Sequence, residues 1–431
     1  MINQKYGFIE EVISESILKK AQKDELTDKI DTVLTHRFFG IPIFLGIMAV
    51  VFFLTFTVGD YLSGYLEMAV EWLSGIVTNM FAAINAGEII TSLVVDGIIA
   101  GVGGILTFLP NIAVLFFALA LLEDSGYMSR VAYVMEGIMH KIGLSGRAFI
   151  PMILGFGCTV PAVMAARTLE SKADRLKTIM ITPFMSCAAR LPIYVLLSEM
   201  FFGKNAMIAA YSMYIIGAVV AILSALVMKK IGKQKKDHEN TLLIELPEYK
   251  TPNARTVFIY VWEKVKDYLT KAGTTIFVAS VIIWAILSFG PTGLVDDMGQ
   301  SFGAYIGKAI DFILKPAGLG YWQIVVALIS GIAAKEVVVS SMSVLFGIGN
   351  IAAQSGMSQL TTVLGNMGFG AVNAYSMMLF CLLYIPCAAT IATIRKETQS
   401  FKWTLATVAL QLGIAWTVST VFYQIASLIA G

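Results

Sequence analysis

Long stretches without a charged side chain decide most of what this chain can fold into. Between Arg37 and Asp60 lie 22 uncharged residues, and 24 separate Lys204 from Lys229. Another 24 lie between Lys271 and Asp296, 58 follow Glu336, and the tail from Trp403 to Gly431 carries no charge. A helix needs about 20 consecutive apolar residues to cross the hydrocarbon core of a bilayer, so each run is long enough. Charged residues make up only 14% of the chain and hydrophobic residues 57%, whereas about a quarter of the residues in a soluble domain are charged. The sequence predicts an all-α, polytopic protein of the lipid bilayer with roughly eight spans.

Several function classes lose support at once. No stretch reads GxxxxGK[ST], so the chain has no phosphate loop of the Walker type. The four cysteines lack paired spacing, and three lie in apolar segments, so no disulfide framework is expected. The polar first 38 residues carry no secretory signal pattern. A formal net charge of +2 gives no basis for nucleic-acid binding.

Residues 6–20 place Tyr6, Ile9, Ile13 and Ile17 on one helical stripe, which predicts an amphipathic helix ahead of the first span at 39–58. Residues 61–86 read as a separate interfacial helix. The apolar stretch 89–122 is broken by Gly101, Gly103, Gly104 and Pro110 and holds one charge, Asp96. Further spans are expected at 206–228, 272–290 and 403–429. The cluster "KKIGKQKK" (229–236) marks the cytoplasmic side by the positive-inside rule.

Two broken regions resemble each other. "PFMSCAARLPI" (183–193) and "YIPCAATIATI" (384–394) share Cys-Ala-Ala, and upstream lie "GFGCTVPAVMA" and "GIAAKEVVVSS". Their flanking charges are reversed. The loop inside the first unit carries Arg167, Lys172, Arg175 and Lys177, and its counterpart at 347–372 has no Lys or Arg. After the second segment the first unit offers only Lys204, and the second offers Arg395, Lys396 and Lys402. This bias predicts two units inverted in the membrane, an arrangement common in secondary transporters.

Breaking a helix in lipid frees carbonyl and N–H groups, which is tolerated only inside protein or beside water. Three breaks carry a thiol: Cys158 beside Gly157 and Pro161, Cys187 after Pro183, and Cys387 after Pro386, with Gly155, Gly157, Pro161, Ser186 and Pro386 as further path candidates. Thiolates favour soft and borderline transition metals over Mg²⁺ or Ca²⁺, so the three cysteines are candidate metal ligands, with freed carbonyls completing the shell. Buried cysteine is more often a small packing residue, and Cys381, away from a break, is assigned to packing. Glu336 and Arg190 are intramembrane charges and thus path candidates, although Glu336 could pair with Lys335. Asp96, Glu123 and Asp124 are candidate acids on the way in, or helix caps. The three histidines, His36, His140 and His238, flank spans or lie in loops and are not expected as ligands.

At these residues the sequence resembles the ferrous iron transport protein B family. "GFGCTVPAVMAARTLESKADRLKTIMITPFMSCAARLPIY" is similar to the family's first Gate region, and "GIAAKEVVVSSMSVLFG" with "LLYIPCAATIATIRKETQSFKW" to its second. "VDGIIAGVGGILTFLPNIAVLFFALALLEDSGYMSRVAYVME" and "TDKIDTVLTHRFFGIPIF" extend the resemblance from about residue 27 to the end. It implies Fe²⁺ uptake across a bacterial or archaeal inner membrane, with the amino terminus cytoplasmic and Cys158, Cys187 and Cys387 on the metal path. It implies no bound cofactor, since Fe²⁺ is the substrate, and no enzymatic activity in this chain. The family's GTP-binding domain does not match any part of this sequence. A GTPase domain on another chain or a missing segment, and small accessory proteins, are the implied partners.

The implied layout is a cytoplasmic connector (1–38), an amino-terminal membrane region (39–147), a first Gate unit (148–228), a cytoplasmic loop with an amphipathic helix (229–270), a connecting span and external loop (271–319), a second Gate unit (320–400) and a terminal helix (401–431). Two rivals remain at this level: a Gate-type carrier of nucleosides or another small solute, and a membrane anchor for a GTPase that conducts nothing.

Overall fold

The computed structural model describes residues 25–36, 39–84, 87–231, 249–291, 293–295, 298–348 and 354–430. The amphipathic helix expected at 6–20 and most of the lysine cluster at 229–236 lie outside the described residues.

Helix α1 (Glu25–Leu34) leads to α2 (Gly40–Ala83), a single helix of 44 residues. The sequence divides this stretch into a span and a separate interfacial helix, and the structure joins them. No proline falls between residues 43 and 83, and the polar residues midway find partners. Asn111 Nδ2 donates to the Asp60 carboxylate at 2.8 Å, and Gly59 lets that asparagine approach, since a Cβ there would stand 1.8 Å from its Oδ1. At about 1.5 Å per residue the helix is roughly 66 Å long, about twice the hydrocarbon thickness.

The next break falls earlier than the glycines and Pro110 suggest. A π-helical turn (Leu93–Ile99) contains Asp96, and α3 (Ala100–Asp124) then runs through Pro110 without interruption. Gly126, at φ 82°, turns the chain into α4 (Tyr127–Lys141), 82° away from the end of α3.

The first broken region comprises α5 (Phe149–Gly157), α6 (Thr159–Ala165), α7 (Lys172–Ile181) and α8 (Leu191–Phe202), followed by α9 (Ala206–Ile231). Next come α10 (Ala254–Asp267), a second π turn (Tyr268–Gly273), α11 (Thr274–Ser288) and α12 (Phe302–Leu314). The second broken region comprises α13 (Trp322–Ser330), α14 (Val337–Leu345), α15 (Gln354–Asn366), α16 (Ala371–Leu383) and α17 (Ala388–Thr398), and α18 (Phe401–Ala430) ends the described chain. The one departure from an all-helical architecture among the described residues is a two-residue antiparallel pairing of Phe289–Gly290 with Gly293–Leu294.

Among the described residues, four helical stretches are long and apolar enough to cross a membrane: Gly40–Ala83, Lys172–Lys230, Ala371–Thr398 and Phe401–Ile429. The number rises to six if two bent pairs, Leu109–Asp124 with Tyr127–Lys141 and Phe302–Ala317 with Trp322–Ser330, each count as one span. Ala371–Thr398 is the most enclosed of the four, and the others present large apolar side chains outward, as lipid-facing helices must.

The two broken regions pack on each other, α6 against α17 and α8 against α16. At one end, Arg167 after α6 grips Glu397 of α17, its Nε donating at 2.8 and 2.7 Å and its Nη2 closing the fork. At the other end, Phe201 and Phe202 of α8 meet Phe369 and Tyr375, with ring centroids 5.7 and 6.0 Å apart.

Three distant segments meet at Arg130, whose side chain is 1% exposed. It donates from Nε and Nη2 to Asp31 on α1 at 2.9 and 3.1 Å, and from Nη1 to the Gly126 carbonyl at 3.0 Å. The guanidinium lies 3.9 Å from the Tyr249 ring centroid, and the Tyr249 hydroxyl donates to Asp31 at 2.8 Å. Burial pushes the Asp31 carboxyl up, but the hydrogen bonds from Arg130 and Tyr249 and the guanidinium charge outweigh it and hold the group below its usual 3.8. A depressed carboxyl contributes stability above its unfolded value and loses it as pH falls through the folded one. Docking of α1 should therefore persist down to about pH 4 and weaken below it, read as hydrogen exchange of residues 25–34. Arg130→Gln should cost on the order of 1–3 kcal/mol, between an exposed and a buried ion pair, measured as a lower unfolding temperature in detergent.

Candidate functional site

All four breaks anticipated from glycine, proline and cysteine are breaks in the structure. In the first, α5 stops at Gly157 and Cys158 is extended (φ −147°, ψ 130°) before α6 begins. The Cys158 N–H donates to the Leu154 carbonyl at 3.0 Å and closes α5. Pro161 lies in the first turn of α6, where a missing N–H is harmless to that helix but leaves the Gly157 carbonyl without its helical donor. In the second, a short 3₁₀ turn (Thr182–Phe184) gives way to a non-helical stretch, Met185–Cys187, with Met185 and Cys187 extended, and a further 3₁₀ turn (Ala188–Arg190) opens α8. The third spans Gly331–Glu336, and the fourth runs from Tyr384 to Cys387 through Pro386.

Each thiol has the same place in its break. Cys158, Cys187 and Cys387 are the residues immediately before α6, the Ala188–Arg190 turn and α17, each with extended backbone. Cys158 lies within Coulombic range of Cys187, Cys387 and Glu336, and Cys187 within range of Cys387. The Cys387 sulfur is 3.2 Å from the Thr390 hydroxyl. In this conformation no three His, Cys, Asp or Glu side chains among the described residues stand close enough to hold a metal ion. The thiols share one region and do not form a closed ligand cage.

The breaks are locked together in two ways. Gly155 admits the second break against the first: a Cβ on it would stand 2.9 Å from Met185 Cβ and 3.3 Å from Thr182 Cγ2. In the second region, the Ala388 N–H donates to the Ile332 carbonyl at 2.7 Å, and the Tyr384 hydroxyl donates to the Leu328 carbonyl at 3.2 Å. Both bonds join one broken helix to the other.

Two buried cations take the freed carbonyls. Arg190, 1% exposed, donates from Nη1 to Pro183 and Met185 at 3.1 and 2.9 Å, and from Nη2 to Pro183 at 3.1 Å. Its Nε has no partner among the described residues. Lys335, 2% exposed, donates to the Ile385 carbonyl and rests 3.3 Å from the Tyr384 ring centroid. The sequence singles out Arg190 but treats Lys335 only as a possible mate for Glu336. Lysine beside glutamate suggests a local pair; the turn at 331–336 sends the ammonium to the opposite break. Glu336 is half-buried and still within electrostatic reach of Lys335 and Cys158.

The remaining candidates fall elsewhere. Ser186 is buried and its hydroxyl donates to that of Tyr194 at 3.3 Å. Asp124 accepts the Asn253 N–H at 2.8 Å, and Glu123 bonds Tyr260, so this acidic pair holds α10 against the end of α3. Asp96 lies on the π turn, and its side chain is outside what is described. Cys381 is fully buried in α16, as a packing residue would be. Tyr268, within electrostatic range of Cys158, Cys387 and Glu336, had no sequence signal beyond an aromatic ring in an amphipathic stretch.

These features define a helical membrane protein whose centre is made from two regions of discontinuous helices. The family model described as "Nucleoside recognition", Gate, matches residues 105–201 and 269–401, and the model "Ferrous iron transport protein B C terminus" matches residues 210–264. A protein of Staphylococcus aureus (strain COL) named Fe(2+) transporter FeoB is 43% identical over 411 residues, covering 94% of this chain and 60% of that relative. One of the same name from Methanocaldococcus jannaschii is 37% identical over 437 residues, covering 100% and 63%. A Porphyromonas gingivalis protein named Fe(2+) transport protein A/Fe(2+) transporter FeoB fusion protein is 37% identical over 466 residues, covering 98% and 54%. No solved structure matches the chain. The chain belongs to the ferrous iron transport protein B family, as its membrane part, and spans about 60% of the length of the curated relatives it matches.

Two measurements check this geometry. Alkylation followed by mass spectrometry should modify half-buried Cys158 and Cys387 before Cys187, and Cys381 last. Gly155→Val should wedge the first two breaks apart and cost about 1–3 kcal/mol, as overpacking does, read as a lower unfolding temperature in detergent.

Proposed function

We propose that this chain is the conducting part of a ferrous iron uptake system and that Fe²⁺ passes between its two broken regions. The observation that carries the reading is the repeated placement of Cys158, Cys187 and Cys387, each between a break and the turn or helix that follows, within electrostatic range of one another. Sulfur suits a borderline ion such as Fe²⁺ and suits alkali and alkaline-earth ions poorly. The relatives are named as Fe(2+) transporters, and their similarity covers all four breaks. The three thiols would replace part of the ion's water shell, and Glu336 would supply a hard oxygen beside Cys158.

In this reading the two regions are inverted repeats within a protein of roughly eight spans, in a bacterial or archaeal inner membrane, with the amino terminus cytoplasmic. The Arg167–Glu397 grip supports the inversion: the basic inner loop of the first unit meets the far end of the second. At the opposite end, Phe201 and Phe202 of the first unit meet the loop and helix start that hold Phe369 and Tyr375. A GTP-binding domain, on the same or another chain, would act through α1, which Arg130 ties to the membrane helices. The fused transport protein A of the Porphyromonas gingivalis relative favours a small accessory partner as well.

The "Nucleoside recognition" description of the Gate model keeps a nucleoside carrier as the second reading. A nucleoside needs several amide or acidic side chains at the breaks, and here the breaks hold thiols, alanines, the single carboxylate of Glu336 and basic side chains already engaged with carbonyls.

In proteoliposomes, wild type should take up Fe²⁺, and the Cys158→Ser, Cys187→Ser, Cys387→Ser triple variant should lose most of that flux. Undiminished Fe²⁺ uptake by the triple variant would refute the thiol path, and uptake of nucleosides instead would establish the rival.

A further inference from the structure

Lys335 and Arg190 are buried basic side chains that occupy main-chain carbonyls freed at two of the four breaks. Neither has a carboxylate within ion-pair distance among the described residues. Their partners are the main-chain carbonyls of Ile385, Pro183 and Met185, and Lys335 adds the face of the Tyr384 ring. Carbonyl oxygens are the groups that replace the hydration shell of an alkali ion in a selective pore, and an aromatic face adds attraction for the same kind of ion. The fourth break would thus make a serviceable K⁺ site if the ammonium were not already in it.

We propose that Lys335 is a tethered cation that excludes alkali ions from the path by occupying the Ile385 carbonyl and Tyr384 ring of the fourth break, with Arg190 doing the same at the second. The inference rests on the transport reading above and names what sets the selectivity of that path. A fixed positive charge repels a divalent ion more strongly than a monovalent one. Charge alone therefore cannot let iron pass. Discrimination falls to the ligand type: with the Ile385, Pro183 and Met185 carbonyls taken, the side-chain groups left for an entering ion are the sulfurs of Cys158, Cys187 and Cys387 and the carboxylate of Glu336. A transition metal ion gains from sulfur what an alkali ion does not. The breaks on their own would favour K⁺ and Na⁺, the abundant ions; the two cations cancel that preference.

The test is Rb⁺ uptake, a stand-in for K⁺, into proteoliposomes holding an inside-negative potential, with no iron present. Wild type should exclude Rb⁺. Lys335→Met should admit it at roughly tenfold the wild-type rate, as expected when a charge in a low-dielectric path is removed. Lys335→Gln keeps a donor for the Ile385 carbonyl but loses the charge, and should leak in the same sense. Lys335→Arg should remain tight. If Lys335→Met does not assemble, Lys335→Gln decides. A Lys335→Gln protein as tight to Rb⁺ as wild type, a Lys335→Arg protein as leaky as Lys335→Met, or a wild type that already passes Rb⁺ overturns the proposal. The arms separate it from the transport reading: absent Fe²⁺ flux in wild type defeats that reading, whereas Fe²⁺ flux with a tight Lys335→Gln defeats the filter alone.

Discussion

A backbone that leaves its helix inside a membrane must find partners for the groups it frees, and that requirement organises this protein. Four helices break near its centre, and water is not generally available there to satisfy them. The solutions are visible one by one: the Ala388 N–H on the Ile332 carbonyl, the Tyr384 hydroxyl on Leu328, Arg190 on Pro183 and Met185, and Lys335 on Ile385. Each bond spans a break or joins two of them. A net contribution near 1 kcal/mol per bond is ordinary, but leaving such a group unpaired in hydrocarbon costs several times that. The second, third and fourth breaks are each completed by a donor from across the break or from the facing broken helix.

That dependence explains why the two broken regions form one centre. Gly155 has no side chain because Met185 and Thr182 occupy the space. Gly331 is likewise crowded by Val338 and the Tyr384 hydroxyl. Small residues at these points permit the approach, and cations and hydroxyls then fix it. The three thiols stand where the extended backbone re-enters a helical turn, so they inherit positions that the surrounding bonds hold in place. At the periphery, Arg130 carries the same logic to the connector: one guanidinium serves α1, the turn at Gly126 and Tyr249.

Much of this was legible in the sequence, because uncharged runs and misplaced glycines and prolines are local signals. The membrane class, the four breaks and the position of each cysteine beside a break could all be seen there. The extent of α2 was not, since Gly59 and Asp60 look like a terminus until Asn111, 51 residues away, is seen to pair with the aspartate. Lys335 is not legible for the same reason: its neighbour Glu336 suggests a local pair, and the carbonyl it bonds lies 50 residues on. Glu123 and Asp124 drew attention as acids at a membrane edge, and only the fold shows them holding α10. Sequence exposes where a helix cannot continue; it does not show what completes it.

The central claim is that iron is held by sulfur at the breaks, and iron K-edge X-ray absorption of the Fe²⁺-loaded protein tests it most directly. The account predicts sulfur in the first shell of wild type, replaced by oxygen when Cys158, Cys187 and Cys387 are changed to serine. A first shell of oxygen and nitrogen alone in wild type, unchanged in the triple variant, would contradict it.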